Sequence, residues 1–316
     1  MPAVEKEIPI ISRTRIAQAA QLACLLEVSA PKPGNVNRHN DFADARFADF
    51  VISAVAIGPA MEGAARTGVG HTIWRAIRDT QRLVRTNTNL GMVLLLAPLV
   101  KACSYTHSSQ AERKARAEGQ RRNSQTRSKV GDAELRESLA QVLAALTVED
   151  ALRAYAAIRL ARPGGLGQTS QADVASEPSI TLYQAMALAQ ERDALAREYA
   201  TDFAITFETS YPALKDAWHV SGDLSTAIVQ AHLTTLAQVP DTLIARKRGT
   251  DMAVQVSRWA SDVLAVGGVF TAQGQAKLAE LDRALRDEGH TLNPGTTADL
   301  TTAAIFLLLL HDWQVP

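Results

Sequence analysis

The chain has 316 residues, 47% of them hydrophobic, which is enough to bury a large core in one domain or two. Lys plus Arg equals Asp plus Glu at 33 each, so no global positive field favours bulk binding to nucleic acid or an anionic membrane, and any phosphate recognition has to be local. Cys24 and Cys103 lack the paired spacing of a zinc site and fit a reducing cytoplasm, while the seven histidines form no His-Glu-x-x-His pattern and no Gly-x-Ser-x-Gly is present, which removes zinc and serine hydrolase readings.

Alanine and leucine recur at three- and four-residue intervals and no sustained period-two alternation occurs, so the expected fold is all-α, a single multi-helix, bundle-like domain over 1–316. Residues 1–11 lack a basic end followed by an apolar stretch and do not read as a signal peptide. Ser12 caps a first helix to about Val28, with Ile16, Ala19, Ala20, Ala23 and Leu26 along one stripe, and Pro31 and Pro33 prevent its continuation.

The connection that follows is the first of four segments suited to chemistry. Two prolines stiffen it, Gly34 permits a backbone closed to other residues, Lys32 and Arg38 bring positive charge, and Asn35 adds an amide. Asp41 and Asp44 behind it fit Mg²⁺, which takes one or two carboxylates plus substrate phosphate oxygens. A stiff helix connection before a charged helix accounts for the same residues.

Helices are expected over about 46–62, 72–85 and 89–102, the last apolar nearly all round and therefore central. Gly68 and Gly70 precede a helix carrying Arg75, Arg78 and Arg82, either an anion site or an ordinary C-cap with a solvated basic face. Asn87, Thr88, Asn89 and Gly91 stand at the mouth of the apolar helix, where donors and acceptors suit a ribose or a base; Thr88 alone is explained as an N-cap. The apolar runs 92–100 and 303–310 are too short to cross a membrane.

Residues 104–132 are polar, basic and without apolar periodicity, and read as a mobile insertion. Helical pattern resumes over 133–146 and 148–162, breaks at the glycine-rich 163–167, which fits neither a Walker A loop nor a Rossmann fingerprint, and returns over 182–203, 223–238, 250–264, 272–287 and 297–313. The fourth segment opens the last helix. Asn293, Gly295, Thr296 and Thr297 put free backbone amides and hydroxyls near one point, with Asp299 in the first turn able to hold a metal or a sugar hydroxyl. Simple threonine capping is the alternative.

In this order, Pro31-Lys32-Pro33-Gly34 with Asn35, the 87–91 segment and Asn293-Pro294-Gly295-Thr296-Thr297-Ala298-Asp299-Leu300 resemble the triphosphoribosyl-dephospho-CoA synthase family over about residues 13–312. The resemblance implies an all-α enzyme that moves a 5-triphosphoribosyl group from ATP to a hydroxyl of dephospho-CoA and releases adenine. It implies small-molecule nucleotide substrates, Mg²⁺, a cytoplasmic location and no nucleic-acid or membrane partner, and leaves a homo-oligomer open. Breaking the glycosidic bond builds positive charge on the ribose, which calls for carboxylates near that carbon and cations on the triphosphate. On this resemblance Lys32 and Arg38 serve the triphosphate, Glu27, Asp41 and Asp299 are the candidate catalytic carboxylates, and Asp41, Asp44 and Asp299 the metal ligands.

The chain departs from the decarboxylase-linked members at two places. His39-Asn40-Asp41-Phe42-Ala43-Asp44 replaces a Gly-Ser-His and paired-aspartate run, and Asn87-Thr88-Asn89-Leu90-Gly91 replaces Asn-Thr-His-Lys-Gly, losing a histidine and a lysine. It therefore resembles a divergent branch of the kind found in organisms using methanopterin-type one-carbon cofactors. Two alternatives follow: a transferase acting on a pterin or furan cofactor precursor, and a nucleotide- or cofactor-binding protein of this fold without the catalysis.

Overall fold

The computed structural model describes residues 12–118, 131–167, 169 and 171–311. In chain order the helices are α1 (Arg13–Ser29), α2 (Phe47–Ala56), α3 (Gly58–Gly63), α4 (Val69–Gln81), α5 (Leu90–Glu118), α6 (Asp132–Ala144), α7 (Val148–Ala161) and α8 (Leu182–Ala189). They continue as α9 (Ala194–Ala200), α10 (Tyr211–Ser221), α11 (Leu224–Gln238), α12 (Thr242–Arg248), α13 (Thr250–Ala265), α14 (Ala272–Leu285) and α15 (Gly295–His311). Among the described residues there is no strand, only an isolated bridge between Asn37 and Asn40. The all-α expectation is met.

Two apolar helices organise the packing. Leu95, Leu96, Ala97 and Leu99 of α5, and Ala303, Ile305, Phe306 and Leu307 of α15, are all fully buried, because neither the first half of α5 nor α15 has a polar face to turn outward. They pack on each other, and α15 also meets α1, α10 and α11, so the last helix threads the core. Around them α4 lies on α7, α5 on α6, and α11 on α10 and α13.

Several boundaries follow from identifiable caps. Ser12 accepts from the Arg15 amide as expected, at 3.2 Å. Thr147 and Asp150 form a capping box on α7. The 182–203 pattern is two helices, since Asp193 stops the run and caps α9 through the Leu195 and Ala196 amides at 2.9 and 3.3 Å. Where the polar insertion was expected to begin, α5 runs on to Glu118, in keeping with the Ala, Glu, Lys and Arg content of that stretch; 119–130 lie outside the described residues. Residues 47–66 are apolar and long enough to cross a membrane by composition, at mean hydropathy 1.3. Here they fold as α2, α3 and a 3₁₀ turn, with α2 and α3 both laid against α1 and α4.

Candidate functional site

A cavity of about 680 Å³ opens between the α1–α2 and α14–α15 connections, the start of α5, the end of α7 and helices α8, α9 and α12. Its size is in the range of a nucleotide-sized ligand.

The acidic wall comes from α1 and α15. Glu27, in the last turn of α1, is buried and lines the cavity. Its Oε1 lies 2.8 Å from Lys32 Nζ, and the same ammonium donates to the carbonyls of Glu27 and Ala30. The Pro-Lys-Pro turn thus folds Lys32 back under the helix it follows, and its charge is spent there. Burial pushes the Glu27 carboxyl up, with Lys32 opposing. Asp299, just past the first turn of α15, makes no salt bridge among the described residues, and Arg246 is the cation that opposes its shift. Burial first, then the charges of Glu27 and Asp241, push it well above the ordinary aspartate range, so the site pairs a lysine-bound carboxylate with a carboxyl shifted towards its neutral form. Room for Asp299 is made by Gly91: a Cβ there would lie 1.9 Å from Asp299 Oδ2.

Aspartates bind this wall to the neighbouring helices. Asp241 Oδ1 accepts from the Leu243 and Ile244 amides at the start of α12, while Oδ2 accepts from the amide and hydroxyl of Thr297 at 2.7 and 2.8 Å. One carboxylate therefore caps two helices. Thr242 does similar work with its hydroxyl, accepting from the Ala194 amide at 3.3 Å and donating to Thr296 Oγ1 at 3.2 Å.

Basic residues also line the cavity, and of them only Arg162 belongs to a segment, the glycine-rich 162–167 loop, that the sequence marks as able to close over a ligand. Arg162 from the end of α7, Arg192 from the α8–α9 turn, and Arg246 and Lys247 from α12 all line the cavity. Arg246 Nη1 is 2.5 Å from Asp193 Oδ2, and its Nε is buried without a partner. Lys247 donates to the His290 carbonyl at 3.2 Å. Arg192, Arg246 and Lys247 look like ordinary solvated residues in sequence; among them only the Arg246-Lys247-Arg248 run was a signal, and it was masked by the missed helix α12.

Of the residues singled out in the sequence, Glu27, Asn35, Asp44 and Asp299 line the cavity together. So do Asn87, Thr88, Asn89 and Gly91 from one segment and Asn293, Gly295 and Thr296 from another. Within these, Asn87 Oδ1 caps α5 at the Leu90 amide, 3.2 Å, Thr88 pairs its hydroxyl with Ser53 at 2.6 Å, and Asn89 is buried against the Ser53 carbonyl and the Thr80 hydroxyl. Lys32, Pro33, Gly34, Arg38, Asp41 and Thr297 do not line it. Lys32 is sealed beside Glu27 as described, and Arg38 is exposed. Asp41 accepts from the Phe47 amide at 2.7 Å. Gly34, at φ +73°, makes a turn in which its amide donates to Asp282 and a Cβ would collide with Leu285. Among the described residues no three His, Cys, Asp or Glu side chains are grouped to hold a metal ion on their own.

A family model described as CitG, ATP:dephospho-CoA triphosphoribosyl transferase, matches residues 13–315. A Malonomonas rubra protein described as a 2-(5''-triphosphoribosyl)-3'-dephosphocoenzyme-A synthase is 31% identical over 101 residues, 32% of this chain and 31% of that protein, so the match spans about a third of the relative. A crystal structure of an Archaeoglobus fulgidus protein described as a triphosphoribosyl-dephospho-CoA synthase superposes with a TM-score of 0.58 at 26% identity, over 83% of this chain and 99% of the other.

Proposed function

We propose that this chain, which belongs to the CitG family of ATP:dephospho-CoA triphosphoribosyl transferases, moves the 5-triphosphoribosyl group of ATP onto a hydroxyl of dephospho-CoA and releases adenine. The observation that carries the proposal is that one cavity is lined both by the carboxyls Glu27 and Asp299 and by the cations Arg162, Arg192, Arg246 and Lys247. The reaction needs both: anionic groups where the ribose carbon becomes positive, and cations on the triphosphate that departs from water with it.

In this reading the C1'–N9 bond of ATP breaks as the acceptor oxygen bonds to C1'. Glu27, paired with Lys32, faces the developing positive charge, and Asp299, whose neutral form is favoured, gives its proton to the departing adenine. The acceptor's hydroxyl proton passes to the Asp299 carboxylate left by that transfer as the new bond forms, which restores the acid and closes the proton count.

The residues fit Mg²⁺ only together with the nucleotide. Asp44 is the free carboxylate on the cavity rim, whereas Asp41 is committed to the Phe47 amide and Glu27 to Lys32. Asp44 would hold the ion alongside phosphate oxygens, and the ion would offset triphosphate charge. Cys24 and Cys103 are buried and form no disulfide, which fits a reducing cytoplasm as the working compartment.

The test is to incubate the protein with ATP, Mg²⁺ and dephospho-CoA and follow free adenine and the adduct by mass spectrometry. Adenine with a triphosphoribosyl adduct is the expected result. ATP binding without adenine would reject dephospho-CoA as acceptor and point to the pterin or furan precursors instead, and the absence of any nucleotide binding would end the transferase reading.

A further inference from the structure

Two loops meet at one end of the cavity, 31–45 before α2 and 286–294 before α15; Arg286 Nη2 donates to the Asn35 carbonyl at 3.0 Å, and two further, unlike contacts face the cavity. Asn35 Nδ2 donates to Asn293 Oδ1 at 2.8 Å, and the Phe42 ring stacks on His290 with centroids 3.7 Å apart and planes 11° from parallel. All four side chains line the cavity.

The asparagine pair is incomplete as it stands. Asn35 is only 6% exposed, and its Oδ1 is buried with no hydrogen-bond partner. A native interior rarely leaves such an acceptor unpaired unless something else fills it. On the other side of the pair, Asn293 Oδ1 is used by Asn35, so its Nδ2 remains as a donor. Exchanging the oxygen and nitrogen of both amides changes which residue supplies which group, but one acceptor and one donor are still left over. The complementary ligand edge is an amine beside a ring nitrogen acceptor, the pattern by which amides read adenine. The adjacent Phe42–His290 stack supplies an aromatic face for a planar base, and His290 Nδ1 is a second buried polar atom without a partner.

We infer that Asn35 and Asn293, backed by Phe42 and His290, form a subsite that reads the edge of a 6-aminopurine. The inference rests on the transferase reading for the source of that base, and both substrates carry one: ATP, and dephospho-CoA. It reassigns base recognition from Asn87 and Asn89, whose side chains are occupied in capping α5 and in bonding Ser53 and Thr80, to a pair at the opposite end of the sequence.

The experiment is calorimetric binding, each ligand added alone so that no turnover occurs, of ATP against ITP and of dephospho-CoA against its hypoxanthine counterpart. The exchange of the 6-amino group for a carbonyl sets two acceptors face to face. The expected result is a preference of about ten- to a hundredfold for the amino form of one ligand, which identifies the source. That ratio should fall towards one in Asn35→Ala and in Asn293→Ser. A purely structural role would weaken both members of each pair equally and leave the ratio intact. If Asn35→Ala fails to fold, Asn293→Ser, at the less buried partner, carries the test. Equal binding of amino and carbonyl forms in the unmodified protein overturns the subsite, as does a preference that survives in the folded variants. Adenine release in either of those cases leaves the transferase reading standing, whereas a ratio that collapses as expected without adenine release keeps the subsite and removes the transferase. No binding of any of the four ligands overturns both.

Discussion

Asp299 is the residue on which the chemistry turns. Its carboxyl is pressed by burial and by the charges of Glu27, Asp241 and Asp193, while Arg246 alone relieves it. The upward shift favours its neutral form, so as a proton donor it should lose activity as pH rises through its titration. Asp299→Asn removes the proton and keeps the shape. We expect kcat to fall by about 10²–10⁴-fold, with the alkaline limb of the pH profile lost and the melting temperature held or raised, measured by adenine release and thermal unfolding. Unchanged turnover would remove Asp299 from the mechanism. Lys32 acts one step behind. Because its ammonium and the Glu27 carboxylate are both fully enclosed, Lys32→Met strands a buried charge and should cost about 3–5 kcal/mol in urea unfolding, part of which Glu27→Gln in the same chain should restore. Additive costs would mean the two groups do not depend on each other.

At the scale of elements, the site is made by short connections and helix starts rather than by helix faces. Asp241 holds the starts of α12 and α15 at once, so Asp241→Ala releases two caps, and the expected loss is about 2–4 kcal/mol, seen as a lower urea midpoint. A loss below 1 kcal/mol would mean that water replaces the carboxylate at both ends. Gly91→Ala drives a methyl into Asp299, and activity should drop at least as far as stability does. This level also shows what sequence can and cannot reveal. The 87–91 and 293–299 segments were visible because glycine and polar residues interrupt long apolar patterns, and both reach the cavity. The roles inside them were not, since an asparagine that caps a helix and one that meets a ligand look alike until partners are known. Lys32 read as a free cation, because nothing in Pro-Lys-Pro announces that the chain turns back on Glu27. Arg246 and Asp193 are 53 residues apart, one within α12 and the other capping α9, helices of seven residues each and too short to leave a periodic signature.

Across the whole molecule, buried carboxyls set how stability responds to pH. Glu198 is fully enclosed at the end of α9, where Oε1 accepts from the Ile205 amide at 2.7 Å and Oε2 from Thr206 at 2.9 Å, joining α9 to the π-helical turn Thr206–Ser210 that leads into α10. Between them the chain passes through Asp202 and Phe203 at φ 50° and 59°, so the carboxyl secures a turn that the backbone itself disfavours. Burial pushes this group from an ordinary 4.5 up to about 7, with the two amides and Arg136 opposing. A folded value above the unfolded one means that the native state binds the proton more tightly: the contribution is complete below pH 4.5 and is lost as pH rises through about 7. Its size is on the order of 3 kcal/mol. Glu27, Asp241 and Asp299 are shifted in the same direction, whereas Asp223 and Asp287 are lowered and favour the fold only above the ordinary aspartate range. The ligand-free protein should therefore be most stable in mildly acidic solution and lose stability towards pH 8. Urea midpoints at pH 5, 6, 7 and 8 measure this, and Glu198→Gln should flatten the decline while lowering the acidic value by the one amide bond that its NH₂ cannot accept. An unmodified protein whose midpoint does not move across that range would place the Glu198 proton elsewhere, and the turn into α10 would then be held by an ordinary carboxylate at a cost the rest of the core meets.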